Sequence, residues 1–290
     1  MLIERVKGLS PIRRLAYWIE EREAIRLKKE AGEPKPWTDD VILQSYRFCN
    51  IRRMDDKVSK WLYENWYRKY LTHSNMFLAV ALARFINLPS SLSLLTKVIF
   101  AGRITDRVVS IDWELVKQIL REHRDAGNVV FNGAYMVRGN DGMDKIESVV
   151  DYYVRPLTTL RIFPDSMEKT HANILTSYGM GSFMAGQITA DLRWAEPGTW
   201  KDCRTWAPMG PGSQRGMNWL LGREIKFKYK AEQFLTELRK TAADLEALVS
   251  TQAMSRLELM DIQNCMCEFD KYSRTLAGIS KPKQKYPGKE

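Results

Sequence analysis

Hydrophobic residues recur at helical intervals along almost all of this chain, and runs that alternate in the manner of a strand are scarce. Residues 231–249 set Phe234, Leu235, Leu238, Ala242, Leu245 and Leu248 three or four positions apart, one stripe of an amphipathic helix. Leu259, Ile262, Met266 and Phe269 repeat the stripe over 257–272. Residues 75–84 (NMFLAVALAR) are apolar all round, as a central buried helix requires, and 128–137 (NVVFNGAYMV) is the best candidate for an extended segment. The pattern predicts an all-α protein.

Bulk properties narrow the class further. With 290 residues, 44% hydrophobic and 28% charged, the chain is expected to bury a sizeable core. No apolar run approaches the ~20 residues that span a bilayer, so no membrane is expected. The amphipathic, charged start lacks the apolar core of a signal peptide and predicts a cytoplasmic protein. A net charge of +10 favours a polyanionic partner, and nine tryptophans and twelve tyrosines include aromatics beside basic residues that suit stacking on bases. The cysteines (Cys49, Cys203, Cys265, Cys267) and histidines (His73, His123, His171) lack the paired spacing of a zinc site and predict reduced thiols.

Pro and Gly cluster at 32–36, 139–142 and 196–216. These breaks predict an N-terminal helical arm and linker over 1–36, a two-lobed helical domain over 37–276, and a flexible basic tail over 277–290. There is no internal repeat.

Four stretches concentrate polar chemistry. In 46–67, YRFCNIRRMDDKVSKWLYENWY, an asparagine, two arginines and two aspartates crowd into seven positions. This is either a solvated helix junction capped by Asp55 or a site that holds an anion while keeping a carboxylate for proton chemistry. In 173–194, NILTSYGMGSFMAGQITADLRW, a G-x-G between two helical runs resembles a helix-hairpin-helix whose second helix would offer N–H groups to a phosphate; a purely structural helix pair fits equally. Gln187 and Asp191 share a face of that helix. In 261–274, Asp261, Asn264, Glu268 and Lys271 line the face opposite the apolar stripe, either as a solvated surface with a Glu268–Lys271 pair or as part of a site. Residues 210–216, GPGSQRG, form either an ordinary loop or a turn rich in N–H groups beside Arg215.

Taken in order, YRFCNIRRMDDKVSKWL, FNGAYMVRG, GMGSFMAGQITADLRW, GPGSQRGMNWL and CMCEFDKYSR resemble the α-glutamyl/putrescinyl-thymine pyrophosphorylase family over residues ~40–276. That family comprises bacteriophage proteins related to the helical domain of 5-hydroxymethyluracil DNA kinases. The resemblance implies a helical fold related to the helix-hairpin-helix DNA glycosylases. It implies a cytoplasmic role, in the infected host cell, in hypermodifying thymine: replacing the pyrophosphate of 5-pyrophosphoryloxymethyl-deoxyuridine in DNA with an amine or amino acid. Double-stranded DNA with modified thymine and the amine are the partners implied, with association with other phage DNA-modification enzymes as a further expectation.

Carried onto this sequence, the blocks point to Asn50, Arg53, Asp55, Asp56, Gly179, Gly181, Gln187, Asp191, Arg215, Glu268, Asp270, Lys271 and Arg274; by their chemistry, Asn50, Arg52, Arg53, Gln187, Arg215, Lys271 and Arg274 are expected to hold substrate and pyrophosphate. Gly179 and Gly181 are the expected DNA contacts, and Asp55, Asp56, Asp191, Glu268 and Asp270 the candidate catalytic acids and bases. A shared cleft is expected to hold Asp55, Asp56 and Glu268 against a cationic wall of Arg53, Lys271 and Arg274. No resident metal or cofactor is expected, and whether a divalent metal accompanies the pyrophosphate is left open. The chain lacks G-x-x-x-x-G-K-[ST], which argues against phosphoryl transfer by these residues alone. Two other readings stand beside the transferase: a non-catalytic DNA-binding partner of a kinase, and a base-excising glycosylase that uses Asp191.

Overall fold

The computed structural model describes residues 2–101, 110–133, 139, 142–195 and 200–286. Among them there are helices and loops and no strand; one isolated antiparallel bridge joins Tyr46 to Lys285. Residues 128–133 of the expected extended segment form no strand, and 134–137 lie outside the described residues. The chain divides into two compact units, Met1–Asp56 with Cys203–Glu290, and Lys57–Asp202. Residues 1–36 fall within the first.

The first unit opens with α1 (Leu2–Gly8), α2 (Pro11–Glu30) and α3 (Val41–Ser45). The second unit holds α4 (Lys57–Leu62), α5 (Met76–Ile86), α6 (Pro89–Ile99), α7 (Trp113–Asp125), α8 (Lys145–Glu147), α9 (Met167–Ile174) and α10 (Ser182–Ala195). The chain then returns to the first with α11 (Pro211–Leu221), α12 (Ala231–Glu246), α13 (Thr251–Met254) and α14 (Leu259–Leu276).

In the first unit Pro11 starts α2, where its missing N–H costs no hydrogen bond. Leu15, Trp18, Ile19 and Ile25 of that helix share one core with Met217 of α11, Phe234 and Leu238 of α12, and Met266 and Phe269 of α14. Asp40 ties three helices together. One oxygen caps α3 by accepting the Ile42 and Leu43 N–H groups, and the other accepts the hydroxyls of Tyr17 on α2 and Tyr272 on α14. Such a cap stabilises by about 1 kcal/mol.

The closest packing is between α11 and α14. A Cβ on Gly216 would lie 2.0 Å from the Met266 carbonyl oxygen, and one on Gly212 would lie 2.8 Å from Cys267 Sγ. The GPGSQRG stretch is therefore neither a loop nor an exposed turn. It is the first turns of α11, and its glycines let two backbones approach. The tail is also more ordered than its composition suggests: Arg47 donates its N–H to the Gln284 carbonyl, and Tyr286 donates to Ser45. Residues 287–290 lie outside the described residues.

In the second unit α5 is the central helix, with Ala79, Val80, Ala81, Leu82 and Ala83 fully buried. It packs against α10, α6 and the wide helical turn Ser148–Val154. Helices α9 and α10 are joined by 175–181. Gly179 there has φ +70°, and a side chain would also strike Tyr153, whose Cε1 lies 2.6 Å from the Cβ position. No helix among the described residues is long and apolar enough to cross a membrane.

The α11–α14 approach makes a direct prediction. Gly216→Ala should lower the thermal midpoint by roughly 2–12 °C, because overpacking costs ~1–3 kcal/mol and a backbone neighbour yields little. Gly8→Ala, with nothing within 4 Å, is the control. An unchanged midpoint for Gly216→Ala would contradict the close approach.

Candidate functional site

Of the block read over 46–67, residues 46–56 lie in the first unit as a non-helical segment ending in a short 3-10 turn, Arg53–Asp55, and 57–67 are helical and fall in the second unit. Without helix or sheet, the buried backbone groups of the 46–56 segment need side-chain partners. Arg22 of α2 supplies donors: Nε to the Cys49 carbonyl at 3.2 Å, and one terminal nitrogen to the Phe48 carbonyl at 3.2 Å and Asn50 Oδ1 at 3.0 Å. Acceptors come from three acids. Glu268 Oε2 takes the Cys49 N–H, Asp261 Oδ1 the Arg53 N–H, and Asp56 Oδ1 the Asn50 N–H at 2.9 Å. Asn50 Nδ2 closes the turn on the Asp55 carbonyl.

The polar face of α14 is thus not solvated. Asp261 is 5% and Glu268 3% exposed, because both reach inward to this segment. The Glu268–Lys271 pair expected on a surface is present at 2.6 Å, with Lys271 half-exposed and Glu268 buried beneath it.

Most of the candidate carboxylates are fully engaged. Asp55 does not cap a helix; Arg256 (3.1 and 3.2 Å), Arg26 (3.5 Å) and Arg52 (3.9 Å) surround it. Glu268 holds Cys49 and Lys271. Asp261 binds the N–H groups of Arg53 and Glu258. Asp270, 1% exposed in its side chain, accepts from Arg215 on one oxygen and from Trp219 and Arg274 on the other. Arg274 therefore belongs with Asp270 and Arg215, not with the Asp56–Glu268 cluster expected to include it.

Asp56 differs. Its Oδ1 is occupied by Asn50, but Oδ2 accepts no hydrogen bond from a described residue, and the side chain is only partly buried. Burial pushes its pKa up to about 6; the Asn50 N–H opposes this and the nearby Glu268 charge adds to it. Burial likewise raises Asp261 to about 6, but both of its oxygens carry backbone hydrogen bonds. The thiols here are poor nucleophiles: burial, then the Glu268 charge, pushes Cys267 up to about 12 and raises Cys49 as well.

The structure therefore gathers Asn50, Asp56, Glu268 and Lys271, with Arg53 contributing to the field at Asp56. It sets Asp55 with Arg52 apart, and Asp270 with Arg215 and Arg274 apart.

The remaining candidates lie in the second unit. Gly181 begins the approach to α10 with open space around it, and Gln187 is half-buried on that helix. Asp191 is 1% exposed, with Arg84 donating to its two oxygens at 2.5 and 2.6 Å and the Tyr67 hydroxyl donating at 2.5 Å. It is the interior counter-ion of Arg84. Sequence reasoning missed Arg22, Arg26, Arg256, Arg84 and Tyr67. Arg84 did leave a signal: one cation at the end of an otherwise apolar helix needs a buried acid.

Residues 10–281 match the family described as "5-hmdU DNA kinase, helical domain". The chain belongs to that family. It is also 26% identical over 277 residues to a protein of Bacillus phage SP10 named "5-hmdU DNA kinase", covering 83% of this chain and 41% of that protein. The chain thus spans less than half the length of that relative. No solved structure matches. The matched range takes in every candidate residue described above.

The Arg84–Asp191 pair predicts a large stability effect. Asp191→Ala leaves a guanidinium buried without its counter-ion and should cost ~3–5 kcal/mol in denaturant unfolding. Arg84→Met combined with Asp191→Leu should recover most of that loss. If Asp191→Ala costs under ~1 kcal/mol, the carboxylate is not an interior counter-ion.

Proposed function

We propose that this chain is a transferase that hypermodifies thymine in phage DNA, displacing pyrophosphate from 5-pyrophosphoryloxymethyl-deoxyuridine with an amine or amino acid. The observation that carries this reading is Asp56, a partly exposed carboxylate with pKa about 6 and an open oxygen beside cationic groups. In the reaction the bond from the C5 methylene carbon to the pyrophosphate oxygen breaks, and a carbon–nitrogen bond forms. Pyrophosphate leaves with the electron pair. The amine is an ammonium at neutral pH, so Asp56 takes a proton from it before attack, and its raised pKa makes it a better acceptor than an ordinary aspartate.

Lys271, 44% exposed in its side chain, and Arg53 are the cations we assign to the leaving anion's charge. Asn50, its backbone and side chain fixed by Asp56, Asp55 and Arg22, would set the edge on which the base is placed. A base inside a duplex must be flipped out for this chemistry. The α9–α10 hairpin, with Gly179 at its turn and Gly181 and Gln187 leading into α10, is the element we assign to the DNA backbone, as in a helix-hairpin-helix. No resident cofactor is needed.

A second reading is favoured by the SP10 relative. Because that relative is a 5-hmdU DNA kinase of which this chain spans 41%, the helical unit could serve as the DNA-recognition part beside a separate phosphoryl-transfer part. Incubation with pyrophosphorylated DNA and a panel of amines, followed by nucleoside mass spectrometry, separates the two. An adduct supports the transferase; binding without product supports the recognition role; abasic sites would point to base excision.

Asp56→Asn, nearly isosteric, should lower the single-turnover rate by ~10²-fold or more while DNA binding is kept. A base must be ionised to act, so the wild-type rate should rise with pH and level off above about 6. Unchanged turnover in Asp56→Asn would remove this carboxylate from the mechanism.

A further inference from the structure

A second constellation in the first unit has no part in the chemistry at Asp56. A cavity of about 540 Å³ opens between the 35–38 segment, residues 43–46 and the returning 285–286. Trp37 and Tyr286 meet there edge to face, with ring centroids 5.9 Å apart. Trp37 is fixed from both ends, its Nε1 donating to the Glu33 carbonyl and its own carbonyl accepting from Lys28.

Three cations converge on these rings. Lys29 Nζ lies 5.1 Å from the Trp37 centroid and 5.5 Å from that of Tyr286; Lys35 Nζ lies at 5.4 and 5.5 Å; the Arg47 guanidinium lies 5.7 Å from Tyr286. No carboxylate among the described residues forms an ion pair with any of them. Of the acids nearby, Glu30 pairs with Arg26, Glu21 with Thr38, and Asp40 with two tyrosines and the α3 cap, while Glu33 and Asp39 are exposed and form no ion pair with these cations. Uncompensated charge therefore accumulates at an aromatic cavity. Burial first, and then the neighbouring Arg22, Arg47 and Lys35, hold the Lys29 ammonium below its ordinary pKa.

We propose that this cavity is a nucleotide-binding site, taking an exposed base against Trp37 and Tyr286 and its phosphate at the lysines that line it, Lys35 and Lys285, with Lys29 and Arg47 adding positive charge at the same rings. Its volume suits a ligand of that size. Rings supply a stacking surface that tolerates any base, and the cations neutralise the phosphate, the combination by which unpaired strands are held. The bridge between Tyr46 and Lys285 completes the site, because it brings Tyr286 back to Trp37. The nucleotide can come from an unpaired DNA strand or from a free nucleotide, and the experiment distinguishes them.

The test is fluorescence anisotropy of labelled dT12 on the full chain, with ATP as competitor, for wild type, Trp37→Ala and Lys29→Gln/Lys35→Gln. The lysine variant keeps both rings, so it remains informative if Trp37→Ala misfolds by circular dichroism. We expect Trp37→Ala to weaken dT12 binding roughly fivefold or more. The lysine variant should reduce the slope of log affinity against log salt by about 0.7 for each phosphate that is no longer neutralised. Weak competition by millimolar ATP assigns the site to a strand; strong competition, abolished in the same variants, assigns it to a free nucleotide. If both variants stay within twofold of wild type for dT12 and for ATP, the cavity is not a nucleotide site. The readout is binding alone, so its outcome is independent of pyrophosphate displacement at Asp56.

Discussion

Residues 47–52 run through the first unit without a helix or sheet to satisfy their backbone. That constraint shapes the surrounding charges. A buried carbonyl or N–H left unpaired costs about as much as a lost hydrogen bond, so Arg22, Glu268, Asp261 and Asp56 are turned toward this segment. Each charge brought in then needs its own partner, which accounts for Lys271 over Glu268. Much of the crowding of acids and bases that marks the sequence as a site is thus spent in holding a loop. Asp56 is the member of the set that keeps an open oxygen, and its raised pKa follows from the same burial.

The helices were legible because they rest on a repeating apolar stripe. Those read over 75–84, 231–249 and 257–272 correspond to α5 (Met76–Ile86), α12 (Ala231–Glu246) and α14 (Leu259–Leu276). Period alone does not report what covers the opposite face. Asp261 and Glu268 sit on a polar stripe that looks solvated, yet both are buried because an irregular segment from more than two hundred positions away packs there. The same limit hid Asp191, whose partners Arg84 and Tyr67 come from other parts of the second unit. Glycine was misread for a related reason. GPGSQRG resembles a turn by composition, whereas Gly212 and Gly216 serve the close packing of α11 on α14.

Trp37 illustrates the reverse case. The Pro-rich stretch around it reads as a linker, and the lysine-rich end of the chain reads as a tail. Both descriptions are reasonable for segments without an apolar stripe. Two backbone hydrogen bonds, from Arg47 to Gln284 and from Tyr286 to Ser45, bring them together into a cavity with aromatic walls and a cationic rim.

The most direct measurement is a carbon-13 titration of the Asp56 side-chain carboxyl in the full chain, alone and with Glu268→Gln. Burial and the Glu268 charge place the wild-type midpoint near 6, and removing that charge should move it downward. A wild-type midpoint at the ordinary aspartate value near 4, unmoved by Glu268→Gln, would contradict the assignment of Asp56 as the partly buried, available base.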